Sequence, residues 1–76
     1  MDLQTAKKLY RESGGNEDYS SSEWEDIRKE LETIVAAKSD RAAGQTIMWW
    51  GCWDKKLTAM AFARRIRENY RKIGTV

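Results

Sequence analysis

The 76-residue chain contains no histidine, no proline and a single cysteine, Cys52. Histidine is the side chain that titrates nearest neutral pH, so its absence removes the most common general base of enzymes. One cysteine cannot form an intramolecular disulfide, and without histidine it cannot complete an ordinary zinc or haem site. The chain also lacks a glycine-rich phosphate loop ahead of a helix. These absences predict a non-enzymatic binding protein with no cofactor, no metal and no small-molecule substrate.

Long apolar runs are missing as well. No window approaches the roughly 20 apolar residues that cross a bilayer, and residues 1–4 do not resemble the start of a signal peptide. We therefore expect a cytoplasmic protein without a membrane partner. Alternating β-branched runs and Asn-Gly turns are also absent, which argues against β-hairpins. The sequence predicts an all-α bundle in one domain over residues 1–76, near the lower size limit for a core without a disulfide or metal.

A short first helix is predicted over about 2–13. Asp2 can accept a backbone hydrogen bond as its N-cap, and Gly14-Gly15 follows the last turn as a glycine stop. The apolar residues between these signals recur at helical spacing and are Leu3, Ala6, Leu9 and Tyr10. This side of the helix is expected to face the core.

The middle helix is predicted over about 22–50. Ser22 and Glu25 match a capping box, in which a hydroxyl and a carboxylate each bind a free backbone N–H of the first turn. An apolar stripe about 100° wide follows and consists of Trp24, Ile27, Leu31, Ile34 and Val35. We favour one continuous helix, with 39–44 as the place for a kink, because an interior glycine costs only about 1 kcal/mol. The alternative is a break, after which Ser39 caps a new helix.

The end of a continuous middle helix would be apolar on most sides. Ala42, Thr46 and Trp49 would extend the stripe, whereas Ile47 and Met48 would point away from it. Such an end must be covered by the other helices or by another molecule.

The last helix, about 58–73, has the clearest amphipathic pattern. Thr58 is a suitable N-cap. The apolar side is about 100° wide and consists of Phe62, Ala63, Ile66, Tyr70 and Ile73. The opposite side is an arc of about 160° that carries Arg64, Arg65, Arg67, Arg71 and Lys72.

This basic helix is the first candidate binding site. Residues 51–76 carry seven bases and two acids, whereas residues 1–50 carry seven bases and ten acids, so the net charge of +2 hides a basic C-terminal part. Several cations on one helix face can neutralise neighbouring phosphates, which predicts nucleic-acid binding. The residues assigned to this site are Lys55, Lys56, Arg64, Arg65, Arg67, Arg71 and Lys72.

A different interpretation of the basic face is a solvated surface whose charge is balanced within the protein. The acidic residues of the middle helix are the expected partners, and they include Glu23, Asp26, Glu30 and Glu32. The region also does not fit a helix-turn-helix, since residues 51–57 separate its helices where that motif has a turn of about three or four residues. Nucleic acid stays the favoured partner.

The second candidate site is a cluster of large apolar residues, namely Trp49, Trp50, Trp53 and Met60. Exposed tryptophan and methionine are typical of protein-binding surfaces, so this cluster predicts a homodimer contact or a protein partner. In that case the chain would act as an adaptor, inhibitor or regulator. The alternative is that the tryptophans form the core of a small domain.

Overall fold

The computed structural model describes residues 1–48 and 56–74, which form four α-helices and no strand. The helices are α1 (Leu3–Glu12), α2 (Ser21–Ala36), α3 (Asp40–Ile47) and α4 (Ala59–Gly74). The predicted all-α class is confirmed, with four helices where three were expected. No helix in the described part of the chain is long and apolar enough to cross a membrane.

α1 begins and ends at the predicted signals. The Asp2 carboxylate accepts the backbone N–H of Thr5 at 2.7 Å, and this hydrogen bond lowers the pKa of Asp2. At the other end Gly14 has a φ of 119°, a conformation that favours glycine. The N–H of Gly15 then donates to the carbonyl of Tyr10 at 2.9 Å, which closes the last turn.

α2 is capped by Ser20, so the capping box predicted for Ser22 and Glu25 is wrong by two residues. The Ser20 hydroxyl accepts the N–H of Glu23 at 3.4 Å, and the Glu23 carboxylate accepts the N–H of Ser20 at 3.2 Å. Both registers place a glutamate three positions after a serine. The local motif alone therefore does not distinguish them.

A hydrophobic staple explains why Ser20, and not Ser22, caps α2. This cap puts Tyr19 just before the helix and Trp24 in its first turn, at the two staple positions. The two rings lie edge to face with centroids 5.0 Å apart. A cap at Ser22 would put Ser21 and Asp26 at those positions, where no apolar contact is possible.

The continuous helix predicted over 22–50 is wrong, and the alternative of a new helix is the one adopted. α2 ends at Ala36, and Ala37 has extended backbone with φ −64° and ψ 149°. The Ser39 hydroxyl then accepts the N–H of Ala42 at 3.2 Å and caps α3. The break changes which side of the chain meets the core.

On the separate α3, Ile47 is buried and Met48 is 67% exposed, whereas a continuous helix would have turned both away from the stripe. Ala43 and Gly44 complete the buried face of α3. A Cβ added to Gly44 would lie 3.1 Å from the Cα of Met60, so the backbones of α3 and α4 approach closely at this point.

α2 and α4 are the central pair of the bundle. Each contacts the three other helices, whereas α1 and α3 do not contact each other among the described residues. All four helices contribute to one core, made of Ala6, Leu9, Tyr10, Trp24, Ile27, Leu31, Ile34, Ala43, Ile47, Phe62, Ala63 and Ile66. Tyr70, expected on the apolar side of the last helix, is 36% exposed instead.

Candidate nucleic-acid interface

Two of the predicted phosphate ligands bind a carboxylate of the protein itself. Arg64 Nε donates to Asp40 Oδ2 at 2.9 Å, and Arg67 Nη1 donates to Asp40 Oδ1 at 2.6 Å. The hydrogen bond from Arg64 is the main reason that the pKa of Asp40 lies below its ordinary value of 3.8. Asp40 is the first residue of α3, so this contact holds the start of α3 against the middle of α4.

The two arginines differ in how much of each remains available to another molecule. Arg67 also donates from Nη2 to the carbonyl of Ala37 at 2.9 Å, and its side chain is only 14% exposed. Arg64 pairs with Asp40 through Nε and is 59% exposed. Arg67 therefore joins α4 to the turn between α2 and α3, while Arg64 still presents its terminal nitrogens to solvent.

The remaining predicted cations of α4 lie on its exposed side. They are Arg65, Arg71 and Lys72. Within residues 1–48 and 56–74, neither Arg65 nor Arg71 forms an ion pair. Lys56 is exposed just ahead of the helix, and Lys55 lies outside the described residues.

The structure adds two cations that the sequence reasoning missed, Lys38 and Arg41. Both are exposed, and each is one residue away from a contact with α4, at Ala37 and at Asp40 respectively. A single continuous middle helix gave no reason to place them beside α4. The cap at Ser39 was the signal that would have located them at the start of a new helix.

We call the resulting patch the basic surface. It consists of Lys38, Arg41, Arg64, Arg65, Arg71 and Lys72. Acids are concentrated elsewhere, because residues 1–36 carry nine acids and five bases, whereas residues 37–76 carry three acids and nine bases. Residues 1–36 therefore have a net negative charge, and residues 37–76 have a net positive charge.

The carboxylate shown to pair with α4 is Asp40 of α3. In the described part of the chain, the ion pairs of α2 join Arg28 to Glu25 and to Glu32, and join Glu32 to the Met1 amine at 2.6 Å. Hydrogen bonds from these partners lower the pKa values of Glu25 and Glu32. The ion pairs shown for α2 thus lie within α2 itself and between α2 and the N-terminus.

The second candidate site lies mostly in the part of the chain that is not described. Trp49, Trp50 and Trp53 are outside the described residues. Met60 is 47% exposed, and Met48, which immediately precedes that segment, is the most exposed large apolar side chain among the described residues, at 67%. The fourth tryptophan, Trp24, is buried in the core.

No protein-family model, no curated protein and no solved structure matches this chain. Within residues 1–48 and 56–74, no group of three or more metal-binding side chains could hold a metal ion. The function is therefore inferred from the chain's own residues and their arrangement.

Proposed function

We propose that the protein binds nucleic acid stoichiometrically, without catalysis, through the basic surface. The supporting observation is a group of six cations, four on the exposed side of α4 and two at the adjoining start of α3. Lys38, Arg41, Arg65 and Arg71 form no ion pair within residues 1–48 and 56–74. Cations on one surface bind the phosphate backbone by releasing its counterions. The cytoplasm is the compartment we propose, since a chain with a single cysteine suits a reducing environment.

The internal ion pair sets the geometry of this surface. Asp40 holds Arg67 inward. Arg67 therefore positions α3 and is not one of the proposed phosphate ligands. The same contact brings Lys38 and Arg41 beside α4. α2 carries five acidic residues and two basic ones, which repel phosphate, so a polyanion is expected to approach from the basic surface and not from α2.

A labelled DNA duplex of random sequence tests the proposal by fluorescence anisotropy at two salt concentrations. With about five phosphate contacts, affinity should fall roughly 100- to 1,000-fold between about 50 and 200 mM salt. The double variant Arg65→Glu with Arg71→Glu should abolish binding at the higher salt, because both side chains are exposed and form no ion pair among the described residues.

The matched control is Lys8→Glu with Lys29→Glu. Both lysines are exposed on α1 and α2, and the control changes the net charge by the same amount. It should keep most of the affinity. Equal losses in the two double variants would assign binding to net charge rather than to the basic surface, and absence of binding at low salt would reject the proposal. Reversal at Arg64 and Arg67 is unsuitable, because it also breaks the contact with Asp40.

A second candidate function is protein binding at the end of the molecule where α3 ends and α4 begins. Met48 and Met60 are the two most exposed large apolar side chains among the described residues, and methionine adapts its shape to partner surfaces. Sedimentation of the wild type and of Met60→Glu tests the homodimer form of this function. A dimer that dissociates in the variant, with unchanged circular dichroism, would support it, whereas a monomeric wild type would exclude self-association.

A further inference from the structure

The exposed side of α4 has one acidic residue at its centre, Glu68. With helical positions about 100° apart, Arg64 and Arg71 lie on one side of Glu68, and Arg65 and Lys72 lie on the other. Each of these cations is three or four positions from Glu68, the usual spacing for an ion pair on a helix. Glu68 is nevertheless exposed and forms no ion pair within residues 1–48 and 56–74.

A central carboxylate opposes binding that depends on phosphates alone. It repels the backbone of every sequence, so it lowers affinity without adding discrimination. A base edge is different, because the amino group of cytosine in the major groove donates a hydrogen bond that a carboxylate can accept. Contact with a base edge would give the carboxylate of Glu68 a favourable partner, which contact with phosphates does not.

We propose that α4 enters the major groove of B-form duplex DNA and that Glu68 accepts a hydrogen bond from cytosine N4. This inference rests on the proposed nucleic-acid function. The outer ridge of the helix, formed by Ala61, Arg65, Glu68 and Lys72, faces the bases. Arg64 and Arg71 flank it and contact phosphates on the side of α3, together with Lys38 and Arg41.

The dimensions of α4 fit this groove. Its 16 residues extend for about 24 Å with a diameter of about 10–12 Å, and the major groove of B-form DNA is about 12 Å wide. Arg64 and Arg71 are separated by about 10.5 Å along the axis, as are Arg65 and Lys72. Ala61 has the smallest side chain of the ridge, so it permits close approach in the first half of the helix.

Other nucleic acids fit the described surface less well. Proteins that bind single strands stack bases on exposed aromatic rings. Among the described residues, Tyr70 is the only exposed aromatic side chain, and only 36% of it is exposed. The major groove of an A-form RNA duplex is too deep and narrow for side chains to read. Duplex DNA is therefore the partner to which the charges and dimensions point.

The first experiment compares one sequence as DNA duplex, RNA duplex and single-stranded DNA in the anisotropy assay. The DNA duplex should bind at least about tenfold more tightly than either other form. Equal or tighter binding of the RNA duplex or the single strand would overturn groove entry and leave the proposed function standing. No binding to any of the three would reject both.

The second experiment selects bound duplexes from a randomised pool with the wild type and with Glu68→Ala. The wild type should prefer sites with cytosine at one position, with about 5- to 100-fold discrimination against other bases there. Glu68→Ala should lose that preference and bind the unselected pool more tightly. The control is Glu12→Ala, which removes the same charge from an exposed position on α1 and should keep the preference.

If Glu68→Ala strengthens binding to every sequence by one factor and the wild type selects no base, the carboxylate acts only as a charge. The inference would then be wrong, while salt-dependent duplex binding would still support the proposed function.

Discussion

The α1–α2 pair and the α3–α4 pair are joined by opposite kinds of side chain. In the first pair, the rings of Trp24, Tyr10 and Tyr19 contact one another edge to face, and the Trp24 centroid lies 5.5 Å from that of Tyr10 and 5.0 Å from that of Tyr19. In the second pair, the absence of a side chain at Gly44 lets α3 approach the backbone of Met60. Large rings hold two helices apart at a set distance, whereas a glycine allows close backbone contact.

The two pairs also use their basic residues differently. In the first pair, Lys7 and Arg11 lie over the Trp24 ring at 5.7 and 5.8 Å, and Arg28 binds carboxylates of its own helix. In the second pair, Asp40 is the carboxylate shown to bind the cations of α4. Three of the five bases of the first pair thus contact a ring or a carboxylate of that pair, whereas Arg41, Arg65 and Arg71 of the second pair are exposed and form no ion pair among the described residues.

Trp24→Ala tests the aromatic contacts that join α1 to α2, and it should have the largest effect on stability. Trp24 is 3% exposed, and removal of such a ring costs about 3–5 kcal/mol. A domain of this size has a total stability of roughly 4–11 kcal/mol, so the variant should be barely folded. Urea denaturation followed by circular dichroism measures the change, with Trp24→Phe as a milder control. A loss below about 1 kcal/mol would mean that the rings do not hold α1 on α2.

Gly44→Val tests the close backbone contact and should have an intermediate effect. The new side chain would collide with the backbone at Met60, and overpacking of this kind costs about 1–3 kcal/mol. Ala42→Val is the matched control, because Ala42 lies on the exposed side of the same helix. At this exposed position, Ala42→Val should lower the stability only through the lower helix propensity of valine, by roughly 0.5 kcal/mol. Equal costs for the two variants in urea denaturation would show that α3 does not pack closely on α4.

Asp40→Asn tests the ion pair between α3 and α4 through its pH dependence. The pKa of Asp40 is lowered in the folded state, so the contribution of the pair is present above pH 3.8 and is lost as the pH falls through the folded pKa. We expect the smallest of the three effects, a lower Tm for the variant at pH 7. The difference from wild type should vanish in strong acid.

Asp26→Asn is the control for this experiment, because Asp26 is exposed on α2 and forms no ion pair among the described residues. Its Tm should differ little from that of the wild type at either pH. A Tm difference for Asp40→Asn that persists in strong acid would show that the pair is not its cause.

Local patterns predicted the elements whose signals lie close together in the chain. The Asp2 cap, the Gly14 stop and the Thr58 cap are all present in the structure. The buried residues Phe62, Ala63 and Ile66 were also found, because helical spacing alone places them on one face. The capping box was wrongly predicted at Ser22 instead of Ser20, because two registers satisfy the same motif and the deciding contact is that between the Tyr19 and Trp24 rings.

The candidate interface was predicted only in part. The exposure of Arg65 and Arg71 followed from helical spacing. The inward position of Arg67 did not, because it depends on Asp40 and on the Ala37 carbonyl, which belong to another element. The tryptophan cluster at 49–53 lies outside the described residues.

The sequence by itself determined the helical class, both ends of α1 and of α4, and the basic character of α4, because these depend on interactions within a few residues. The tertiary structure alone decided that the chain breaks after Ala36, that Ile47 enters the core and that Asp40 binds Arg64 and Arg67. The ion pairs of Asp40 and the burial of Ile47 involve residues that are far apart in the chain, and both require α3 to pack on α4. Local propensity allowed both a continuous and a broken helix, and burial of the α3 face favours the break.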